Sequence, residues 1–206
     1  MSKPIIYVVD DDVSVCRALS LLLKSHGFEV ETFNRAKDFL TFKHFKRASC
    51  LVLDVELPDI NGFAMQEPML AQQLFIPIVF ITGHGSIPMS VKAMRGGAVD
   101  FLAKPFTDKE LLAAIDRAIA KNKIQNKEQA ELTKIAEFIK TLSPTELEVF
   151  RLVASGMANK QIAYKRGIVL QTVKVHRSRV MQKLRAKNVT ELIRLAEKAK
   201  IIPAQK

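Results

Sequence analysis

The stretch IIYVVDDD at residues 5–12 joins five mostly apolar residues directly to three aspartates. A short apolar run that ends abruptly in acidic residues is typical of a buried strand. Adjacent carboxylates repel one another, so either a cation neutralises them or they point in different directions. The stretch therefore predicts a strand that ends at a charged site.

Short runs with strand character recur along the first half of the chain, at residues 28–33, 50–53, 76–81 and 99–103. Between them, apolar residues recur at helical spacing, as in Val15, Leu19 and Leu22. Strands that alternate with helices form a parallel sheet covered on both faces. We therefore predict an α/β fold with a five-stranded, parallel, doubly wound sheet.

The carboxyl ends of the predicted strands carry polar side chains. Ligands of such sheets bind at that edge, which selects Asp10, Asp11, Asp54, Thr82 and Lys104. Clustered carboxylates suit Mg²⁺, a hard cation that prefers oxygen ligands. A carboxylate beside a divalent ion can attack a phosphoryl group, which favours Asp54 as the nucleophile. Thr82 and Lys104 would then bind the phosphoryl oxygens.

The excess positive charge lies in the C-terminal part of the chain. Residues 1–121 hold 14 Lys and Arg against 14 Asp and Glu, whereas residues 122–206 hold 18 against 7. Such a basic segment favours a polyanion as partner, and nucleic acid or an anionic membrane would fit. We predict a first domain at 1–121, a helical connector at 122–141 and a small all-α domain at 142–206.

The composition also bears on location and redox state. No apolar run approaches the ~18 residues that a membrane span requires, and the N-terminus lacks the pattern of a signal peptide. Cys16 and Cys50 sit among apolar neighbours without metal-ligand spacing, so we expect packed thiols and no disulfide. We therefore expect a cytoplasmic protein that makes no membrane contact.

The all-α domain opens with a clear helix start. Ser143 is the cap, Pro144 takes the first helical position, and Glu146 completes a capping box. Gly156 ends this helix, and Gly167 ends the short helix that follows. These signals predict a helix that ends at Gly156 and a short second helix from Asn159 to Arg166.

The next segment, VLQTVKVHRSRVMQKLR, is amphipathic. At ~100° per residue, Val180 and Leu184 fall on the same face as Val173. The opposite face carries Val175 and Ser178, flanked by basic side chains. A helix that enters a DNA major groove has these properties, because Lys or Arg can reach guanine and a methyl group can contact thymine.

The blocks VVDDD, LVLDVELPDINGF, IVFITGHG and GAVDFLAKPF resemble the receiver domain of two-component response regulators, which has a flavodoxin-like fold. The resemblance implies that Asp54 accepts the phosphoryl group, and that Asp10 and Asp11 bind Mg²⁺ together with the backbone carbonyl of Glu56. It further implies that three residues form the switch, namely Thr82, Lys104 and Phe101. Asp12 has no metal role in the family and fits as the N-cap of the first helix.

The segment from LSPTELEVF to VMQKL resembles the LuxR-type helix-turn-helix, and its pairing with a receiver is similar to the NarL/FixJ branch of response regulators. The resemblance implies Lys174, Val175 and Ser178 as base readers. It implies phosphate contacts from five further residues, Asn159, Lys160, Thr172, Arg177 and Arg179. A helix at about 190–200 would be the dimerisation element.

These resemblances imply a transcription regulator. The expected partners are a sensor histidine kinase, double-stranded DNA, and a second copy of the chain once Asp54 is phosphorylated. The expected chemistry is limited to self-phosphorylation from a phosphodonor and slow self-dephosphorylation, so the chain is not expected to be an enzyme.

Three residues depart from the LuxR-type pattern. Val169 replaces the usual Ser or Thr cap of the recognition helix, which costs about 1 kcal/mol. Arg166 replaces a customary Leu, and Arg185 replaces the Gly that usually ends the recognition helix. Arg185 would be strained if held at positive φ.

Two other functions fit parts of the sequence. A Mg²⁺-dependent phosphohydrolase would use Asp54 as its nucleophile, but it would need a second acid, as a rule aspartate, where this chain has Glu56. A receiver-controlled RNA-binding regulator would use the basic domain, although Phe150 and Tyr164 are the aromatic residues of 142–206, too few for base stacking.

Overall fold

The computed structural model describes residues 3–42 and 48–201. The chain forms two compact units, Met1–Gln125 and Asn126–Lys206. In the part of the chain so described, no helix is both long enough and apolar enough to cross a bilayer.

The first unit contains a parallel five-stranded sheet with the strand order β2-β1-β3-β4-β5. The strands are β1 Ile5–Val9, β2 Glu29–Phe33, β3 Ala48–Asp54, β4 Ile78–Thr82 and β5 Asp100–Ala103. This confirms the predicted doubly wound fold. The order reverses between β1 and β3, and ligand sites of open α/β sheets lie at such a reversal.

Helices connect the strands of the first unit, and one more helix begins after β5 and extends into the second unit. They are α1 Val13–Ser25, α2 Ala36–Thr41, α3 Gln66–Ala71, α4 Ile87–Arg95 and α5 Asp108–Lys140. A 3₁₀ turn at Gly62–Met65 precedes α3, and Pro68 lies in the first turn of α3, where its missing N–H is tolerated. The predicted helical connector is the C-terminal part of α5, which continues without a break to Lys140.

Apolar side chains cover both faces of the sheet. Tyr7 and Val9 belong to a cluster on one face, together with Phe39 of α2. Ile6 and Val8 point to the other face and pack with α1 and α5. Because neighbouring side chains of a strand alternate between faces, a continuous apolar strand such as β1 is buried on both.

The second unit is helical, with α6 Pro144–Ala154, α7 Asn159–Arg166, α8 Leu170–Lys183 and α9 Val189–Lys198. The capping box between Ser143 and Glu146 is present. The inward face predicted for α8 is confirmed, because Val173, Val180 and Leu184 are all buried in one core. Ile135 of α5 is also buried.

The departures from the LuxR-type pattern have visible consequences. Val169 makes no side-chain cap at the start of α8. Arg185 adopts φ 54°, a conformation that favours glycine, and its guanidinium lies 5.1 Å from the ring centroid of Phe138. This cation–π contact offsets part of the backbone strain. Arg166 pairs with Glu148, with 2.6 Å between Nη1 and Oε2.

Asp59, in the loop after β3, caps α2 across the fold. Its carboxylate accepts hydrogen bonds from the backbone N–H groups of Ala36 (3.2 Å), Lys37 (2.9 Å) and Ile60 (3.1 Å). Desolvation raises the pKa of Asp59, but the backbone donors outweigh it, so its pKa is lowered from 3.8. The folded state therefore favours the ionised carboxylate.

The lowered pKa of Asp59 predicts how the stability of the Asp59→Asn variant depends on pH. The stabilisation from the lowered pKa is present above the unfolded-state pKa and is lost as the pH falls through the folded-state pKa. In urea unfolding, we expect Asp59→Asn to be less stable than the native chain at about pH 7, and the difference to shrink towards about pH 3. A difference that stayed constant with pH would show that the charge of Asp59 contributes nothing.

Candidate functional site

The predicted site residues converge at the carboxyl edge of the sheet. Asp10 follows β1, Asp54 ends β3, Thr82 ends β4 and Lys104 follows β5. Asp10 and Thr82 are 0% exposed and Asp54 is 5% exposed, so most of the polar atoms face one another rather than solvent. The edge therefore presents two nearly buried carboxylates, a hydroxyl and an ammonium in one place.

Lys104 bridges the two buried carboxylates. Its Nζ donates to Asp10 Oδ2 and to Asp54 Oδ2, both at 2.6 Å. Burial would lower the pKa of the ammonium, but the hydrogen bonds to both carboxylates outweigh it, so the pKa of Lys104 is raised from 10.5. Lys104 is therefore a fixed positive charge within reach of any group bound to Asp54.

Burial and the neighbouring Lys104 also shift the pKa of Asp10. Burial raises its pKa above 3.8, and the hydrogen bond from Lys104 offsets only part of that increase. A carboxylate oxygen of Asp10, one of Asp11 and one of Asp54 lie within 4.8 Å of one another. Such an all-oxygen donor set suits a hard divalent cation. A cation would also remove the repulsion between the acidic groups.

The carboxylate of Asp54 is held in a fixed orientation. Its Oδ1 accepts a hydrogen bond from the backbone N–H of Glu56 at 2.9 Å. The side chain of Glu56 turns instead to His84, with Oε2 3.0 Å from the imidazole Nδ1. His84 is 83% exposed, as expected of a turn residue, although the sequence did not indicate its partner.

The other two residues of the predicted switch are Thr82 and Phe101. Thr82 Oγ1 accepts a hydrogen bond from the backbone N–H of His84 at 3.2 Å, which orients the hydroxyl. Phe101 of β5 is half-buried and packs against the cluster on its face of the sheet. A methyl group added at Gly85 would lie 3.4 Å from the Phe101 ring, so this loop and the ring are in near contact.

Gly62 is a site residue that was not predicted from the sequence. A Cβ at this position would lie 2.3 Å from the carbonyl oxygen of Asp54 and 2.9 Å from the Cα of Val55. The N–H of Gly62 also donates to the carbonyl of Val55 at 2.9 Å. The glycine thus lets the loop after β3 fold back against the end of the strand. The sequence feature that could have identified this residue is a glycine eight residues after an aspartate at the end of a strand.

Asp12 differs from Asp10 and Asp11 because its side chain caps the N-terminus of α1. Its Oδ1 accepts from the backbone N–H of Ser14 at 2.7 Å and of Val15 at 3.4 Å, as an N-cap does. These backbone hydrogen bonds lower the pKa of Asp12 below 3.8. The predicted division of the three aspartates is consistent with this geometry.

The predicted DNA contacts lie on α7 and α8. The proposed base readers are exposed on the outer side of α8: Lys174, Val175 and Ser178. Lys160 and Arg179 are also exposed, whereas Asn159, Thr172 and Arg177 are half-buried. Arg177 Nη1 donates to Asn159 Oδ1 at 2.8 Å, which ties the start of α7 to α8. The second unit therefore presents one helix with basic, polar and methyl-bearing groups outward.

Comparison with known proteins assigns each unit to a family. Residues 6–116 match the response regulator receiver domain, and residues 140–196 match the family described as bacterial regulatory proteins, luxR family.

Several proteins are similar to this one over nearly the whole chain. Nodulation protein W of Bradyrhizobium diazoefficiens is 45% identical over 95% of this chain and 86% of its own length. The transcriptional regulatory protein FixJ of the same organism is 41% identical over 96% of this chain and 97% of its own. The solved structure of the response regulator StyR has 44% identity and a TM-score of 0.79, covering 96% of this chain and 100% of StyR.

Proposed function

Because the chain belongs to the response regulators that join a receiver domain to a luxR-type DNA-binding domain, we propose that it is a two-component transcription regulator controlled by phosphorylation of Asp54. The observation that carries the proposal is the position of Asp54, a nearly buried carboxylate whose neighbours are the Lys104 ammonium and two further aspartates. A sensor histidine kinase or a small phosphodonor supplies the phosphoryl group.

The transfer uses one carboxylate oxygen of Asp54 as the nucleophile. The oxygen forms a bond to phosphorus while the bond from phosphorus to the donor breaks, so the product is an acyl phosphate on Asp54. Lys104 Nζ and Thr82 Oγ1 are the groups that bind the transferred phosphoryl oxygens. The backbone N–H of Glu56 keeps the other carboxylate oxygen of Asp54 in place.

Mg²⁺ fits the acidic cluster, with Asp10, Asp11, Asp54 and the backbone carbonyl of Glu56 as its ligands. The carboxylates present offer the oxygen donors that this ion prefers, and their mutual repulsion calls for a cation. When bound, Mg²⁺ neutralises charge that develops on the phosphoryl oxygens.

The division between Asp11 and Asp12 gives a paired prediction. Asp11→Ala should weaken Mg²⁺ binding strongly and prevent phosphorylation, because it removes a metal ligand. Asp12→Ala should leave Mg²⁺ binding nearly unchanged and lower the free energy of unfolding by about 1 kcal/mol, because it removes an N-cap. Mg²⁺ titration followed by NMR and urea unfolding measure the two effects. Equal loss of Mg²⁺ binding in both variants would contradict the division.

Phosphorylation changes the charge at the site and so the balance between two arrangements. The new phosphoryl group attracts Thr82 and Lys104, and Phe101 follows into the space that Thr82 leaves. The altered face pairs two receivers, and two DNA-binding domains then engage two half-sites. The phosphoryl group drives this change only as far as it favours the active arrangement.

DNA recognition by α8 predicts a large effect of Lys174→Ala. Loss of a base-reading lysine should weaken binding of duplex DNA about tenfold in gel-shift assays, using a sequence selected from random DNA by the phosphorylated protein. Arg151→Ala is the matched control, since it removes an exposed positive charge on α6, outside the predicted reading surface.

Three results would contradict this assignment. They are equal weakening by Lys174→Ala and Arg151→Ala, affinity that does not fall steeply with salt, and tighter binding of structured RNA than of duplex DNA. We propose that the chain is not an enzyme in the ordinary sense, and turnover of a general phosphatase substrate that depends on Asp54 would contradict that statement.

A further inference from the structure

The backbone carbonyl of Asp10, directly after β1, accepts hydrogen bonds from two side chains of other elements. Asn34, in the loop after β2, donates to it through Nδ2 at 3.2 Å. Cys16 of α1 donates through Sγ at 3.4 Å. On the preceding peptide, the N–H of Asp10 donates to the carbonyl of Phe33 at 3.2 Å. The main chain at Asp10 is thus hydrogen-bonded on both sides of its Cα.

The two donors also contact one another. Asn34 Nδ2 lies 3.7 Å from the sulfur of Cys16, so the amide and the thiol form one small group around a single carbonyl oxygen. Cys16 is 4% exposed and packs in the core, whereas Asn34 is exposed. Core packing therefore does not account for the position of Asn34, whereas its hydrogen bond to Asp10 does.

The carbonyl that these donors hold belongs to the peptide group joining Asp10 to Asp11. A peptide group is planar, so fixing its carbonyl oxygen also fixes the direction in which the chain enters Asp11. The Asp10 side chain is restrained separately, because its Oδ1 accepts from the N–H of Asp12 at 2.9 Å. Asp11 is exposed, and its orientation depends on the peptide plane before it.

We propose that Asn34 and Cys16 are positioning residues that hold the Asp10–Asp11 peptide so that both carboxylates face the same Mg²⁺. This inference rests on the Mg²⁺ role in the proposed function. Without the two donors, the peptide can rotate, and the carboxylates must be reoriented each time the ion binds. Groups that orient metal ligands without touching the metal raise affinity in this way.

Matched variants separate positioning from general stability. Asn34→Leu keeps the branched shape but removes the donor, whereas Asn34→Gln keeps the amide. Cys16→Ala removes the other donor, whereas Cys16→Ser keeps one. Ser25→Ala is the control, because it removes a side-chain hydrogen bond to the backbone, 2.7 Å from Oγ to the Leu22 carbonyl, at the far end of α1.

The experiment is an NMR titration of the full chain with MgCl₂. We expect Asn34→Leu and Cys16→Ala each to weaken Mg²⁺ binding about tenfold, and Asn34→Gln and Cys16→Ser to restore most of the affinity. Ser25→Ala should bind as the native chain does. The ¹³C resonance of the Asp10 carbonyl, measured without Mg²⁺, should move in the Leu and Ala variants and stay near its native position in the Gln and Ser variants.

Native affinity in Asn34→Leu and Cys16→Ala would overturn the inference and leave the proposed function intact. Weakening that neither Gln nor Ser reverses, or equal weakening in Ser25→Ala, would also overturn it, since the effect would then be one of stability. Absence of Mg²⁺ binding in the native chain would instead contradict the metal role in the proposed function, and with it the reason for the positioning.

Discussion

Asp54→Asn is expected to abolish labelling of the chain by acetyl phosphate. An amide has nearly the shape of the carboxylate but is not a nucleophile towards phosphorus, so no acyl phosphate can form. Lys104 keeps its hydrogen bond to Asp10 in this variant, so the fold should be retained, which circular dichroism checks. Acetyl phosphate should then no longer change the affinity of the chain for DNA.

Asp38→Asn is the matched control for this experiment. It makes the same chemical change at an exposed aspartate of α2 that does not belong to the acidic cluster of Asp10, Asp11 and Asp54, and it should leave labelling unchanged. Retained labelling of Asp54→Asn at another residue of the cluster would reassign the acceptor, and retained labelling at position 54 itself would refute the proposed chemistry.

Gly62→Ala is expected to have the second largest effect on the receiver. The added Cβ would lie 2.3 Å from the Asp54 carbonyl oxygen and 2.9 Å from the Val55 Cα. These are backbone atoms and cannot rotate away, so either the loop after β3 or the end of the strand must shift. Overpacking of this kind costs about 1–3 kcal/mol of unfolding free energy.

The shift should also slow phosphorylation, because a small displacement of the nucleophile lowers the fraction of productive encounters. Displacement by about 1 Å can cost roughly a hundredfold in rate. Gly83→Ala is the matched control: it lies next to Thr82, but a Cβ there would have no neighbour within 4 Å. We therefore expect Gly83→Ala to be close to native in urea unfolding and in acetyl phosphate labelling. Equal behaviour of the two variants would show that the close approach at Gly62 is unimportant.

Two features of the site could be predicted because local sequence encodes them. The apolar runs of β1, β3 and β4 mark strands buried on both faces, and parallel strands bring their carboxyl ends to one edge. Any polar residue directly after such a run must lie at that edge. Asp10 and Asp54 were therefore identified by position as well as by resemblance.

The N-cap residues of two helices could also be predicted from the sequence. Asp12 and Ser143 accept hydrogen bonds from backbone N–H groups two to three residues further along the chain, so the signal lies within one turn of helix. The inward face of α8 follows from helical periodicity alone. Interactions over such short distances do not depend on how the rest of the chain folds.

The sequence by itself therefore determined the alternating fold, the edge that bears the chemistry, the caps and the outward face of α8. Only the tertiary structure decided that Gly62 closes on Asp54, that Asp59 caps α2, that Glu56 meets His84 and that Asn34 holds Asp10. Each of these contacts joins loops or strand ends at separations that no periodic pattern fixes. The contact at Gly62 forms when the loop after β3 folds back on its own strand, and the other three form only after the sheet has set the distance between neighbouring strands.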